Sequence, residues 1–310
     1  MKKPTPKIYR TTNWSSYNQA LIKRGNISIW FDPKTQWYAQ PQGKHGRNQT
    51  YSDTAIQCCL MIKSLFRLSL RMVTGFVQSL IKLCGLNWTA PDYSTLCRRQ
   101  KHIDIAISYQ KSRDGLHLLV DSTGLKFLGE GEWKRKKHQP EYRRQWRKLH
   151  IGIDAETLQI RAVQLTTNNV SDSQVLGDLL DQIPLDERID SVYTDGAYDT
   201  KCCRQVISDR QAHAVIPPRK NAKPWKDAKI SSIERNELLQ TVKHLGRTLW
   251  KKWSGYHRRS LVETKMHCIK LLGDKLMARS FPSQVNEIHA RVAVLNRFTE
   301  LGRPLTQVTP

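Results

Sequence analysis

The feature that most constrains the fold is a change of pattern near residue 113. Residues 117–121 (HLLVD) form a short apolar run ending in an acid. Residues 149–154 and 160–166 alternate apolar with polar around Asp154-Ala155-Glu156-Thr157, which predicts a hairpin. Ser171 or Asp172 then caps a helix through Val175, Leu176, Leu179, Leu180 and Ile183, closed by Pro184. A second acid-ended strand follows at 190–195 (DSVYTD), then a helix over 201–209 and a strand at 214–216, stopped by Pro217-Pro218. A basic, Trp-bearing stretch at 219–255 precedes a strongly helical segment over 256–272. Three strands, helix, strand, helix, strand and helix predict an α/β domain, a mixed sheet flanked by helices.

The preceding residues are patterned differently. Residues 1–50 are polar and dotted with Pro and Gly, and read as a basic arm with little regular structure. From Ser52, three capped helices are expected. Ser52 or Asp53 opens one with Ile56, Leu60, Ile62 and Phe66, and Ser69 opens a second with Leu70, Val73, Phe76, Val77, Leu80 and Leu83. Asp92 opens a third, with Tyr93, Leu96 and Cys97 inside and Arg98, Arg99 and Lys101 outside. Helix, turn, helix, turn and a basic helix suits a helix-turn-helix-like DNA-binding region. At ~150 residues per domain, 310 residues suggest about two domains. The expected organisation is an arm (1–50), a helical region (51–112), an α/β domain (113–300, with the insertion at about 219–255) and a tail (301–310).

The charge identifies the partner class. Lys and Arg number 51 against 27 Asp and Glu, a formal net charge of +24, which points to a polyanion such as nucleic acid. The charge is blocked. Residues 1–50 hold nine Lys/Arg against Asp32, residues 129–150 hold eight against three Glu, and residues 243–270 hold eight against Glu263 alone. Trp133, Tyr142 and Trp146 interleave the second block, and aromatic faces stack on bases while cations track phosphates. No apolar run is long enough to span a bilayer, and no secretory signal is readable at the start. Seven scattered cysteines suit a reducing compartment better than a disulfide framework. The expectation is a cytoplasmic protein with a nucleic-acid partner and no membrane partner.

On so basic a chain, acids at special positions are informative. Asp121 and Asp195 each end an expected strand and are followed by small residues, where carboxylates face the crevice in which open α/β sheets bind ligands. Glu263 lies in the final helix. A single strand-end Asp reads as a turn cap, but capping does not explain the set. Three such carboxylates can hold two Mg²⁺ ions, the arrangement that drives phosphoryl transfer. Asp199 begins the next helix and reads as its N-cap. Asp154 falls in the hairpin turn and is set aside.

The segment YHRRSLVETKMHCIK carries Tyr256-x₂-Arg259-x₃-Glu263-x₆-Lys270, four residues expected on one helical face. It resembles the Y-R-E-K signature of one large branch of the bacterial insertion-sequence transposases of the DDE class. Asp121-Ser122-Thr123-Gly124-Leu125 and Asp195-Gly196-Ala197-Tyr198-Asp199 resemble that family's first and second Asp regions. The resemblance covers essentially the whole chain and implies a ribonuclease-H-like catalytic domain. It implies Asp121, Asp195 and Glu263 as ligands of Mg²⁺, for which Mn²⁺ can substitute. Arg259 and Lys270 would hold phosphates of the element's end, and Tyr256 would pack on or bond to that backbone. The implied activity is binding of terminal inverted repeats, 3′-end cleavage and strand transfer into target DNA, by a homodimer or larger assembly. Trp225, Trp250 and Trp253 are open between base stacking and packing.

Other chemistry is poorly supported. Neither Cys58-Cys59 nor Cys202-Cys203 has the spacing of a structural zinc site. Gly129-x-Gly131 lacks the rest of a phosphate loop. Two rival readings share the charge pattern: a repressor that only occupies the ends, and a nuclease that cuts without joining.

Overall fold

The computed structural model describes residues 9–41, 43, 48–112, 114–128 and 146–308. The run at 129–145, with Trp133, Tyr142 and Gly129-x-Gly131, and the first eight residues lie outside the described ones. Two compact units result: residues 1–108 with 293–310, and residues 109–292.

In the first unit the three anticipated helices form where their caps stand: α2 (Asp53–Phe66), α3 (Leu70–Leu83) and α4 (Tyr93–Arg99). Ser52, Ser69 and Asp92 each accept a bond from a first-turn amide, at 3.0, 3.4 and 2.8 Å, satisfying donors that the helix leaves orphaned. Val73, Val77 and Ile81 of α3 recur every four residues on its buried face, and the three helices pack on one another. One expectation for this part is corrected. Residues 1–50 are not without regular structure, since α1 (Trp14–Arg24) lies within them. Its only buried residue is Ala20, so no apolar stripe announces it. Within residues 301–310, β8 (Thr306–Val308) pairs antiparallel with β1 (Tyr9–Thr11), a pairing across nearly the whole chain that leaves no local signal.

The second unit is built on a mixed sheet in the order β4-β3-β2-β5-β6. Its strands are β2 (Leu116–Phe127), β3 (Arg147–Asp154), β4 (Ile160–Thr167), β5 (Ile189–Tyr193) and β6 (His213–Val215). β2, β3 and β4 run antiparallel, while β5 and β6 run parallel to β2. A short β7 (Lys275–Leu276) joins the far end of β2. Leu118, Leu119 and Val120 are fully buried, so both faces of β2 are covered, as parallel pairing requires. α5 (Asp172–Asp181) and α6 (Lys201–Asp209) pack on one face, placing Leu176, Leu179, Leu180 and Ile207 against Leu116, Leu118 and Val192. The 219–255 stretch folds as two helices, α7 (Ile230–Leu245) and α8 (Arg247–Trp253). The Tyr256–Arg259 turn is 3₁₀, and only from Ser260 does α9 (Ser260–Leu272) begin. α10 (Phe281–Leu301) follows. Among the described residues no helix is long and apolar enough to cross a membrane.

Candidate active site

The placement of Asp121 differs from expectation. It is not at a strand end but sixth of the twelve residues of β2. The small residues Ser122-Thr123-Gly124, expected just past the strand's end, continue the ladder to β3, with Thr123 opposite Leu149 and Gly124 opposite Lys148. The parallel partner β5 stops at Tyr193, opposite Leu119. Asp121 therefore stands just past the end of β5, and Asp195 stands just past that same end. This is a crevice at the carboxyl edge of a parallel pair. Asp195 opens a 3₁₀ turn over Gly196–Tyr198 and accepts a bond from the Ala197 amide at 2.8 Å.

The Arg259 guanidinium joins two of the three acids. One of its nitrogens donates to Asp121 Oδ2 at 2.5 Å and the other to Glu263 Oε1 at 2.5 Å. The break between the 3₁₀ turn and α9 corrects the picture of one continuous helical face, but the i,i+4 contact from Arg259 to Glu263 survives it. Lys270, farther along α9, donates to Thr123 Oγ1 at 2.8 Å. Tyr256 lies close enough to Arg259 to feel its charge. Its ring lies 5.8 Å from that of buried Trp250 and 5.1 Å from the Lys251 ammonium.

Electrostatics follow from this geometry. Burial raises the Asp121 carboxyl above its ordinary range and Asp195 adds to the rise, while Arg259 and the Ser122 amide oppose it. Burial alone would lower Arg259, but Asp121, Tyr256 and Glu263 together hold it above its usual value. Burial chiefly, and then the charges of Asp195 and Asp121, push the Tyr256 phenol up.

A divalent cation would meet carboxylate oxygens here, the donor type that hard cations take. Arg259 already shows that Asp121 and Glu263 can share one positive charge. The donor set therefore fits, with Asp121, Asp195 and Glu263 as the residues that would hold the ion. Among the described residues no three His, Cys, Asp or Glu side chains converge closely enough to hold a metal as they stand.

Several neighbours were not read from the sequence. Of the two possible caps for α5, Ser171 is the one used, in a capping box with Gln174. This frees Asp172 to accept from Ser122 Oγ at 2.7 Å and to pair with Lys148 at 2.8 Å. Burial would raise Asp172, but these two bonds hold it below its ordinary value. The Tyr198 hydroxyl is buried with no hydrogen-bond partner among the described residues. Burial, then Asp172, Asp121 and Asp195, raise its pKa. Asp199 is also corrected: Thr200 caps α6, and Asp199 is buried against Arg204 and Arg235. In both cases two adjacent capping residues are the readable clue, since one cap leaves the other side chain for different work. Asp154 accepts from Ser112, Glu156 and Thr157, as a turn acid does. Of the three tryptophans, Trp225 lies under Arg235 and Lys201, Trp250 is buried and Trp253 is exposed.

Comparison with known families matches most of the chain. A family model described as "Transposase DDE domain" matches residues 112–297, and another of the same description matches residues 22–130. Among solved structures, one chain is similar at 15% identity, covering 70% of this chain and 74% of that one, with a TM-score of 0.24. It belongs to a cryo-EM structure of a simian T-cell lymphotropic virus intasome in complex with PP2A regulatory subunit B56 gamma. With the first model spanning more than half of its length, the chain belongs to the DDE transposase family, enzymes of metal-dependent DNA cleavage and strand transfer.

Proposed function

We propose that this enzyme moves an insertion sequence by binding its terminal inverted repeats, cutting the 3′ ends and joining them to target DNA. The observation that carries the proposal is the Arg259 bridge between Asp121 and Glu263 beside Asp195, at the edge where β5 ends and β2 continues. The strand order, three antiparallel strands followed by two parallel ones, supports a ribonuclease-H-like catalytic domain.

When bound, a pair of Mg²⁺ ions, replaceable by Mn²⁺, would activate the attacking water or 3′-hydroxyl and stabilise the leaving oxygen. The chain's own residues do the rest. Asp121 and Asp195 supply oxygens from rigid backbone, one from mid-strand and one from a capped turn. Arg259 leaves the carboxylates for a DNA phosphate, where a forked guanidinium bonds two oxygens at once, and so frees Glu263. Lys270, steadied by Thr123, takes a neighbouring phosphate, and Tyr256 keeps Arg259 aligned. In the helical unit, Arg98 and Lys101 are exposed at the end of α4, in keeping with a helix-turn-helix-like contact to the ends. Two ends must be joined together, so a homodimer or larger assembly on DNA is expected, in the bacterial cytoplasm at the nucleoid.

The test uses a plasmid carrying the gene's own flanking DNA, purified protein and Mg²⁺ or Mn²⁺. Cleavage at the flanks with joined products is expected, lost without metal and lost in Glu263→Gln, which still binds the ends. If Glu263→Gln cuts as fast as the parent, the assignment of this acid is wrong. Binding without any cutting by the parent would favour a repressor, and cutting without joining a nuclease.

A further inference from the structure

Resting on the reading that Asp195 holds a divalent cation, we propose that Arg219 is a positioning residue, which grips the turn after Asp195 and fixes that carboxylate relative to Asp121. The Asp195 side chain is bonded to its own turn through the Ala197 amide, so wherever the turn goes the carboxylate follows. Arg219 holds that turn from outside. Its Nε donates to the Gly196 carbonyl at 3.2 Å and its Nη2 to the Ala197 carbonyl at 3.0 Å. Two adjacent carbonyls held by two nitrogens of one planar group is a fork that lysine, a single point of charge, cannot reproduce.

Arg219 is in turn anchored. Its backbone amide donates to Asp199 Oδ2 at 3.4 Å. Arg204 from α6 and Arg235 from α7 grip Asp199, at 2.9 and 3.2 Å. Arg235 lies 4.4 Å from the centre of the Trp225 ring, and Lys201 lies 5.9 Å from the same ring. The Trp225 backbone is pinned by Asn236 of α7 through two bonds of 2.8 Å. Arg247 of α8 adds a bond of 2.7 Å to the Pro218 carbonyl, next to Arg219. The 219–255 insertion is thereby a brace for the Asp195 turn, and Trp225 is one of its fixed parts.

The side chain of Arg219 is exposed, and an exposed arginine near the site has an obvious alternative role as a phosphate contact. Arg219→Lys and Arg219→Gln separate the two roles, because the lysine keeps the charge and loses the fork. In the metal-free protein, hydrogen–deuterium exchange of residues 196–199 is expected to quicken in both variants. Mn²⁺ affinity, read by electron paramagnetic resonance, is expected to fall about tenfold in both, while Arg219→Lys binds the ends with the parent's salt dependence. The proposal is overturned if Arg219→Lys keeps the parent's exchange and Mn²⁺ affinity while Arg219→Gln alone lowers the salt slope by about one. Asp195→Asn is the control. If it binds Mn²⁺ as tightly as the parent, the reading of Asp195 fails, and exchange of the turn alone decides the grip of Arg219.

Discussion

The second unit contains two arginine–carboxylate clusters of mirrored composition and different solvation, one carboxylate between two arginines and one arginine between two carboxylates. Around Asp199, the carboxylate is 1% exposed and the guanidiniums of Arg204 and Arg235 are 3% exposed. Both carboxylate oxygens are engaged, and the arginines also donate to the Ile216 and Lys223 carbonyls. Around Arg259, the guanidinium is 18% exposed and Glu263 is 56% exposed. The first cluster is closed off from solvent. The second is open to solvent chiefly at Glu263, so a change of partner there costs less than in the closed cluster. Where a carboxylate and an arginine meet therefore does not say what they do. Solvation separates the closed cluster from the open one.

The largest expected effect comes from breaking the closed cluster. Asp199→Ala strands two buried guanidiniums, and removing one partner of a buried ion pair costs about 3–5 kcal/mol. Denaturant unfolding should show a midpoint shift of that size. A shift below ~1 kcal/mol would mean that the two clusters do not differ in kind.

The network beside Asp121 gives the next largest effect, and it is read through pH. His150 is fully buried on β3, 3.7 Å from Asp172, with its other nitrogen bonded to Thr166 at 3.0 Å. Burial outweighs the Asp172 charge and lowers its pKa from 6.5 to about 4. The folded state thus keeps the ring neutral while the unfolded chain protonates it below about pH 6.5. Stability from this group is complete above pH 6.5 and is lost as pH falls towards 4. The loss reaches about 3 kcal/mol. Replacing His150 by Asn should flatten the stability profile between pH 6.5 and 4. An unchanged profile would show that the histidine titrates in the folded state as it does in water.

How much of this was readable follows the same division. Helices with an apolar face and a capping residue were readable: Ser52, Ser69 and Asp92 open the helices expected of them, and α6 spans the expected residues. α7 was not, because the face it buries is Ser231, Ser232 and Arg235, and hydrophobic periodicity cannot detect a polar interface. β2 was read only to Asp121, because Ser122-Thr123-Gly124 is half exposed and polar. In the site, the contact of Arg259 with Glu263 was readable because it is local in sequence. The contacts of Arg259 with Asp121 and of Lys270 with Thr123 each span more than a hundred residues, and the grip of Arg219 depends on carbonyls, which no side-chain pattern encodes.

The smallest effect on stability is expected at the open cluster, and it is the most informative. Arg259→Gln removes a cation shared by exposed Glu263 and by Asp121, which is 15% exposed, so unfolding should change by about 1–2 kcal/mol. Glu263 is exposed enough to be compensated by water. The same substitution should lower the salt slope of DNA binding by about one, the signature of one lost phosphate contact. A small stability change with a reduced slope fits an arginine that exchanges carboxylates for phosphate. A loss of several kcal/mol with an unchanged slope would make Arg259 a brace like Arg235, and the distinction between the two clusters would collapse.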